Sequence, residues 1–561
     1  MTSRNIAALL AVLGAALLVL QWSIDRPLWL DEEILAINLR DRGVLDYFGP
    51  LWLDESAPLG WLLAGRASLL TLGTAERALR LVPVFFGLAT IATAAWVGRR
   101  WMTSIGAVVL VLLCSWGQWL TFYYVELHPY SADVCFSLLL PAVAAWAVDA
   151  PDRHDTTRRA ALFWLLASIG QLFANGALFV TPACGLLLIV AIARRDGWRQ
   201  TIPVAVAGFL WLATFVLNYV FVLRHALSSP YLSGVWAFAF PPRGAGPIDT
   251  LRWFGGTLAA FAGKPGGARI GAFFWIAATA GLALAGLTGR RVAWFFATVP
   301  ASLCLLAAFR LVPLYERLSI WAVPALYVGI ALLADFAFKT VAQGFSPAIA
   351  ALKGCATKNS EMKTAAGVVA FTLAAFVCGD IVWQGVTATL DLRRSPQQNR
   401  ALDDRTAVRW LAARKQSGDI WMTTHYGVPA VWWYAGIHEK PILEVSYEPP
   451  GPRCRQPIDL VKLLGPAPRI LVYLGFRFDD VPAGFDDLLV AHVSRLGSVA
   501  GYRPVDEVGH VLVIDRLGQP GSPTTLSQLA GKMGAAAPSL RGCLLIREAS
   551  VSTYDEPTSL W

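Results

Sequence analysis

The feature that most constrains this chain is a recurrence of long apolar blocks, each roughly 15–25 residues, the length a helix needs to cross a hydrocarbon core about 30 Å thick. Lipid offers no hydrogen bonds to a backbone, so blocks of this kind fold as helices. They fall at 5–22, 79–97, 103–121, 129–149, 160–173, 175–193, 201–223, 271–288, 292–309, 318–337 and 364–389, about eleven spans in all. Composition agrees. Of 561 residues, 56% are hydrophobic and 15% charged, against about 45–50% and about 25% in an ordinary soluble domain. Many of the 23 Trp stand near block ends, where an aromatic belt places them. The chain reads as an α-helical polytopic membrane protein. Its first block follows Arg4 and lacks a small-residue cleavage site before Asp25, so it reads as an uncleaved anchor.

Orientation follows from short basic loops. "GRRW", "DRHDTTRR", "ARRDGWRQ", "TGRR" and the lysine-bearing stretch 339–363 all fall on one side, which makes that side and the N-terminus cytoplasmic. Much of the net charge of +9 is spent on this orientation and does not imply nucleic acid. The opposite side, the periplasm or its equivalent, receives the long first outer loop 23–78, the loop "YYVELHP", residues 224–269, "RLVPLYER" and everything after Asp391.

Two domains are expected: a transmembrane domain at 1–390 and a periplasmic α/β domain at 391–561. In the latter, short apolar runs ("DIWMTTHY", "RILVYLGF", "HVLVIDR") alternate with helical stretches ("RTAVRWLAARKQ", "GFDDLLVAHVSRLG"), a pattern of strands and helices. Cys454 and Cys543 are its two cysteines. An oxidising compartment favours their pairing as a disulfide. The last ~20 residues, ending "EASVSTYDEPTSLW", read as a poorly ordered tail.

The outer loops carry the polar residues that a bilayer would otherwise exclude. The first holds Asp31-Glu32-Glu33 in "LWLDEEILAINL" and Asp54-Glu55 in "LWLDESAPLGWLLAG". The stretch between suits an amphipathic helix lying along the membrane face, and Pro58 suits the start of a second. The next outer loop, "YYVELHPYSADV", supplies Glu126, His128, Tyr130 and Asp133. Asp133 falls in the first turn of a span, where a carboxylate is either functional or a helix cap. Arg243, Lys264 and Arg269 stand in Gly/Pro-rich loops, and Arg310 and Arg317 in "FRLVPLYERL". Arginine suits phosphate, although it can also snorkel to lipid. Acids that can take a proton from an acceptor, beside cations that can hold a departing phosphate, fit glycosyl transfer from a lipid phosphate. A transporter or lipid flippase is the alternative, but it would place charged or broken segments at the midplane, and these spans are nearly free of charge.

In order and character, "LWLDE", "DESAPLGWLL", "RALRLVPVFFGLAT" and "YYVELHPYSADV" resemble the GT-C glycosyltransferases over roughly residues 20–340. They are most similar to the bacterial relatives of glycosyltransferase family 39: protein O-mannosyltransferases, and the transferases of aminoarabinose or galacturonic acid to lipid A and lipopolysaccharide core. The resemblance implies a polyprenyl-phosphate sugar donor, an envelope glycan, lipid or protein as acceptor, contact with membrane lipids and an outer-face site. It implies catalysis by Asp31, followed by Glu32, with Asp31 as general base of an inverting transfer. Asp54, Glu55 and Glu126 would orient the acceptor or hold a divalent metal. His128, Tyr130, Arg269, Arg310 and Arg317 would bind the donor. The second acidic cluster departs from the family pattern: it has one proline where the family has two, and no Lys or His precedes it.

Overall fold

The computed structural model describes residues 3–351, 358–390, 394–395, 400–401, 403–437, 442–451, 454, 463–476, 481–506, 509–517, 524–531 and 543–549. The chain divides into two compact units. One comprises Met1–Asp25, Gly43–Pro50 and Ser56–Asp391; the other comprises Arg26–Arg42, Leu51–Glu55 and Leu392–Trp561. The expected poorly ordered tail of ~20 residues is corrected at its start, where Cys543–Ala549 is a strand paired with Ile442–Glu448; the rest of it, beyond Ala549, lies outside the described residues.

The first unit is helical. Among the described residues, eight of its helices are long and apolar enough to cross a membrane: Asn5–Ser23, Leu81–Trp101, Tyr130–Val148, Asn175–Asp196, Trp198–Ser228, Arg291–Ala308, Glu316–Ala342 and Thr364–Thr389. Shorter apolar helices run Leu59–Leu72, Ser104–Trp116 and Gly271–Leu287. Every expected span is a helix. The expected block 103–121 is two helices, because the chain breaks at Gly117 before Gln118–Tyr123. The block at 160–173 belongs to a helix that begins earlier, at Arg153, capped by the Asp152 side chain. The Gly/Pro-rich stretch 224–269 also contains a helix, Pro247–Gly263, with its proline at the first position, where the missing N–H costs nothing.

Helices in lipid associate by close packing of small residues. The Gly271–Leu287 and Val323–Ala351 helices meet at Ala278, Gly281 and Gly329, and a Cβ on either glycine would collide with the facing backbone. The buried charge Asp335 is paired, as its burial demands. Asp335, fully buried, accepts from the Thr103 N–H and the Arg290 guanidinium and lies 3.4 Å from the Lys339 ammonium.

The second unit is built on a six-stranded sheet. Its strands are β1 (Ile420–Thr424), β2 (Ile442–Glu448), β3 (Arg469–Leu474), β4 (Ser498–Val505), β5 (Gly509–Asp515) and β6 (Cys543–Ala549), in spatial order β4-β5-β3-β1-β2-β6. The three central strands, β3, β1 and β2, run parallel, and the pairings of β6 with β2, β5 with β3 and β4 with β5 are antiparallel. "RILVYL" is buried at all but its first residue, as a central parallel strand covered on both faces requires. β4 carries Pro504 and a bulge between Val499 and Gly501, features that belong on an edge strand. The helices Asp404–Ala412, Val428–Ala435 and Phe485–Val493 accompany the sheet. Gly436 ends the second of these in the left-handed conformation (φ 64°, ψ 39°), where a side chain would be strained. Cys454 and Cys543 are joined by a disulfide with Cα atoms 5.5 Å apart.

Candidate functional site

The first acidic cluster begins a helix, Leu30–Asp41. Three acids at a helix N-terminus complement its dipole, yet they occupy three different environments. Asp31 is half-buried. Glu32 is buried and accepts from the Trp29 N–H at 3.3 Å, the return arm of a capping box. Glu33 is fully buried and faces the Asp404 carboxyl. Burial pushes Glu33 well above the usual carboxylate range, and repulsion from Asp404 adds to the shift. Burial likewise pushes Asp404 up to about 7, against a hydrogen bond from the Tyr473 hydroxyl that favours the anion.

The apolar face of this helix is covered by protein, which corrects the expectation that it lies along the membrane surface. Leu35, Ala36, Ile37 and Leu39 are fully buried, and Trp29, Leu30 and Ile34 pack with Tyr426 and Phe476 of the second unit. Arg40 closes the other end: its guanidinium donates to the Trp433 and Trp432 carbonyls at 2.9 and 3.1 Å, capping the C-terminus of the Val428–Ala435 helix.

The second cluster is tied to the first through Asn38. Its amide donates to the Trp52 carbonyl (3.2 Å) and accepts from the Trp52 N–H (2.9 Å). The guanidinium of Arg42 covers the Trp52 ring at 5.2 Å. Leu53 and Asp54 then turn through positive φ, 61° and 52°, at a cost of roughly 1–2 kcal/mol each. Strain of this kind survives only where surrounding contacts impose it, and it gathers at functional sites. Asp54 and Glu55 leave the turn half-buried.

The first unit brings a second set together along a row of rings. His128 stacks on Tyr130 (centroids 5.3 Å apart), Tyr130 meets Tyr123 edge-on (5.0 Å), and Tyr123 stacks on Trp119 (6.2 Å). The Lys264 ammonium lies over Trp119 at 4.8 Å and pairs with Glu316 at 3.0 Å. Arg317, next in sequence, sits over Trp236 at 5.8 Å. Stretches far apart in the chain therefore converge through aromatic rings whose faces attract cations. Glu126, at the start of this row, is fully buried.

Two of the expected phosphate-binding arginines have structural partners. Arg269 donates to Asp380 from both its side chain (2.7 Å) and its backbone N–H (2.8 Å). Arg310 donates to the Pro241 carbonyl and covers the Phe240 ring. Asp133 is a cap: its carboxylate accepts from the Gly176 N–H at 2.7 Å, at the start of the Asn175–Asp196 helix. Among the described residues, the one group of three or more His, Cys, Asp or Glu ligand atoms within 4.8 Å of one another is exposed Asp152 and His154 with half-buried Asp155. It includes none of the candidate acids. A cavity of 710 Å³ lined by Arg100, Asp149, Asp152, Arg195 and Arg291 also lacks them.

No protein-family model matches the chain, and no curated protein matches its sequence. Solved structures do match. The crystal structure of ArnT from Cupriavidus metallidurans in the apo state aligns over 90% of this chain and 98% of its own, at TM-score 0.51 and 13% identity. The same protein bound to undecaprenyl phosphate aligns over 90% and 97%, at TM-score 0.53 and 13% identity. The chain has the GT-C fold. The archaeal oligosaccharyltransferase AglB from Archaeoglobus fulgidus aligns over 76% of this chain and 63% of its own, at TM-score 0.45 and 12% identity.

Glu33, Asp404, Tyr473 and Glu316 are not marked as site residues by the sequence. Glu33 carries one usable signal, a third consecutive acid on the apolar side of an amphipathic helix. Asp404 and Tyr473 carry none, because nothing local marks which strand or helix receives Glu33.

Proposed function

We propose that this chain is a membrane glycosyltransferase that moves a sugar from a polyprenyl-phosphate donor to an envelope glycan, lipid or protein, with inversion. The observation that carries the reading is the near full-length likeness to ArnT, a protein whose structure has been determined with undecaprenyl phosphate bound. The arrangement of the acidic helix supports it: of three adjacent carboxyls, Glu32 is committed to the helix cap and Glu33 to a buried pair, while Asp31 keeps partial access to solvent. The basic loops further suggest an inner-membrane protein with a cytoplasmic N-terminus and a periplasmic C-terminal domain.

In this reaction Asp31 takes the proton of the acceptor hydroxyl. The acceptor oxygen bonds to the anomeric carbon as the bond from that carbon to the donor phosphate breaks. The bonding electrons leave with the polyprenyl phosphate, and cations that favour its charge lower the barrier. Lys264 and Arg317, held over Trp119 and Trp236, are the proposed phosphate contacts. His128 and Tyr130 are proposed to line the donor seat. Asp54, Glu55 and Glu126 are proposed to orient the acceptor.

The test compares envelope glycans and polyprenyl-phosphate sugars by mass spectrometry in a parent strain and one carrying Asp31→Asn. One sugar should vanish from one glycan while its lipid-phosphate form accumulates. No change in either pool, with the variant protein present in the membrane, would remove Asp31 from the base role.

A further inference from the structure

We infer that Glu33 is a positioning residue: its carboxyl contact with Asp404, braced by Tyr473, fixes the rotation of the Leu30–Asp41 helix on the C-terminal sheet domain and so aims Asp31. This rests on the reading of Asp31 as the base. The three groups are 0%, 3% and 0% exposed. The phenol of Tyr473 donates to Asp404 Oδ1. Tyr473 is itself held, since its carbonyl accepts from Thr423 Oγ1 at 2.8 Å. Gly427 and Gly475 crowd it so closely that a Cβ at either position would meet the ring or the phenol oxygen.

The contact is specific because two carboxyls are acceptors until one carries a proton. Among the described residues, neither Glu33 oxygen meets an N–H or O–H donor, and Asp404 is the group that its carboxyl faces. A buried polar group of this kind costs stability unless its partner is in place. An apolar residue would dock the helix at least as firmly, but would tolerate rotation. The carboxyl pair does not. Residues two apart on a helix point about 200° apart, so holding Glu33 against the domain turns Asp31 to the opposite, accessible side. A rotation that separates Glu33 from Asp404 displaces Asp31 with it.

Charged and titratable groups acting on the pair include Glu32 on its own helix, Asp403 beside Asp404, Tyr473 on β3 and Asp506 after β4, with Tyr434 of the Val428–Ala435 helix acting on Tyr473. The nearby acids, together with burial, favour a proton held on the pair.

The experiment uses three full-length variants: Glu33→Asp, which withdraws the carboxyl by one methylene; Glu33→Asp with Asp404→Glu, which returns the lost reach from the other side; and Tyr473→Phe, which keeps the ring and removes the brace. Two quantities are read in each: sugar transfer, by the mass-spectrometric comparison above, and amide hydrogen exchange of residues 30–41 relative to β1 and β3. Glu33→Asp should lower transfer about tenfold or more and speed exchange in the helix while the strands stay protected, and the double variant should restore both. Tyr473→Phe should fall between. Normal exchange at 30–41 in both Glu33→Asp and Tyr473→Phe would overturn the proposal, as would a folded double variant that restores neither quantity. Full transfer by Asp31→Asn would instead defeat the base reading, and the exchange data would still report whether Glu33 sets the helix.

Discussion

At the scale of single residues, three consecutive acids occupy three environments, and burial separates them. The sequence marks the cluster but cannot rank its members, because the ranking depends on which face meets the sheet domain. The cations divide in the same way. Arg317→Ala should raise the KM for the lipid donor roughly 10–100-fold with a smaller change in kcat, the loss of one charged hydrogen bond, measured in donor titrations of purified protein. Arg310→Ala should leave that KM near the parent value and disturb instead the loop ending at Pro241, which its guanidinium holds. Glu33 and Asp404 predict a pH dependence of stability with a definite sign. Both carboxyls are raised in the folded protein, so the native state keeps protons that an unfolded chain releases above about pH 4. The stability they contribute is full below that pH and falls as pH rises toward about 7 for Asp404, and Glu33 shifts it in the same direction. Thermal unfolding of the full chain from pH 4 to 8 should show this decline, and Glu33→Gln, whose amide can donate to an ionised Asp404, should flatten it. Superimposable curves would show that the pair does not titrate in this range.

At the scale of elements, the spans were readable because lipid leaves a backbone few options, and all eleven expected blocks are helical. What escaped reading were elements whose signal is not apolar length. Pro247–Gly263 hides between Gly/Pro-rich stretches. The strands β2, β4 and β6 have mixed patterns, and β4 and β6 are sheet edges, where one side of a strand need not be apolar. The amphipathic pattern of the acidic helix was legible, yet its partner was not: burial against a bilayer and burial against a distant domain select the same spacing. Arg40 tests that partnership. Arg40→Ala removes two hydrogen bonds to the last carbonyls of the Val428–Ala435 helix and should cost about 2–3 kcal/mol, read as faster exchange in residues 30–41 and in that helix together.

At the scale of the whole molecule, the division into two units does not follow chain order, since parts of the loop after the first span group with the C-terminal segment. Hydropathy draws a boundary near residue 390 and cannot show this exchange, because it is made by tertiary contacts rather than by composition. The disulfide belongs to the same scale. It closes a loop of 89 positions, and by the chain-entropy account its loss costs about 4–5 kcal/mol. Cys454→Ser should therefore lower the unfolding midpoint of the C-terminal unit under oxidising conditions and leave that of the reduced protein unchanged.

The seating of the acidic helix also sets a timetable for synthesis. Arg40 and the Trp432 carbonyl that it caps lie 392 positions apart. At roughly 5–20 residues per second, the helix emerges about 20–80 seconds before its berth exists. Throughout that interval every span can insert, yet the residue proposed to do the chemistry has nothing to lean on. A chain ended after the last span would hold all of its membrane helices and still lack that berth, so the helix can seat only once the strand that carries Tyr473 has been made.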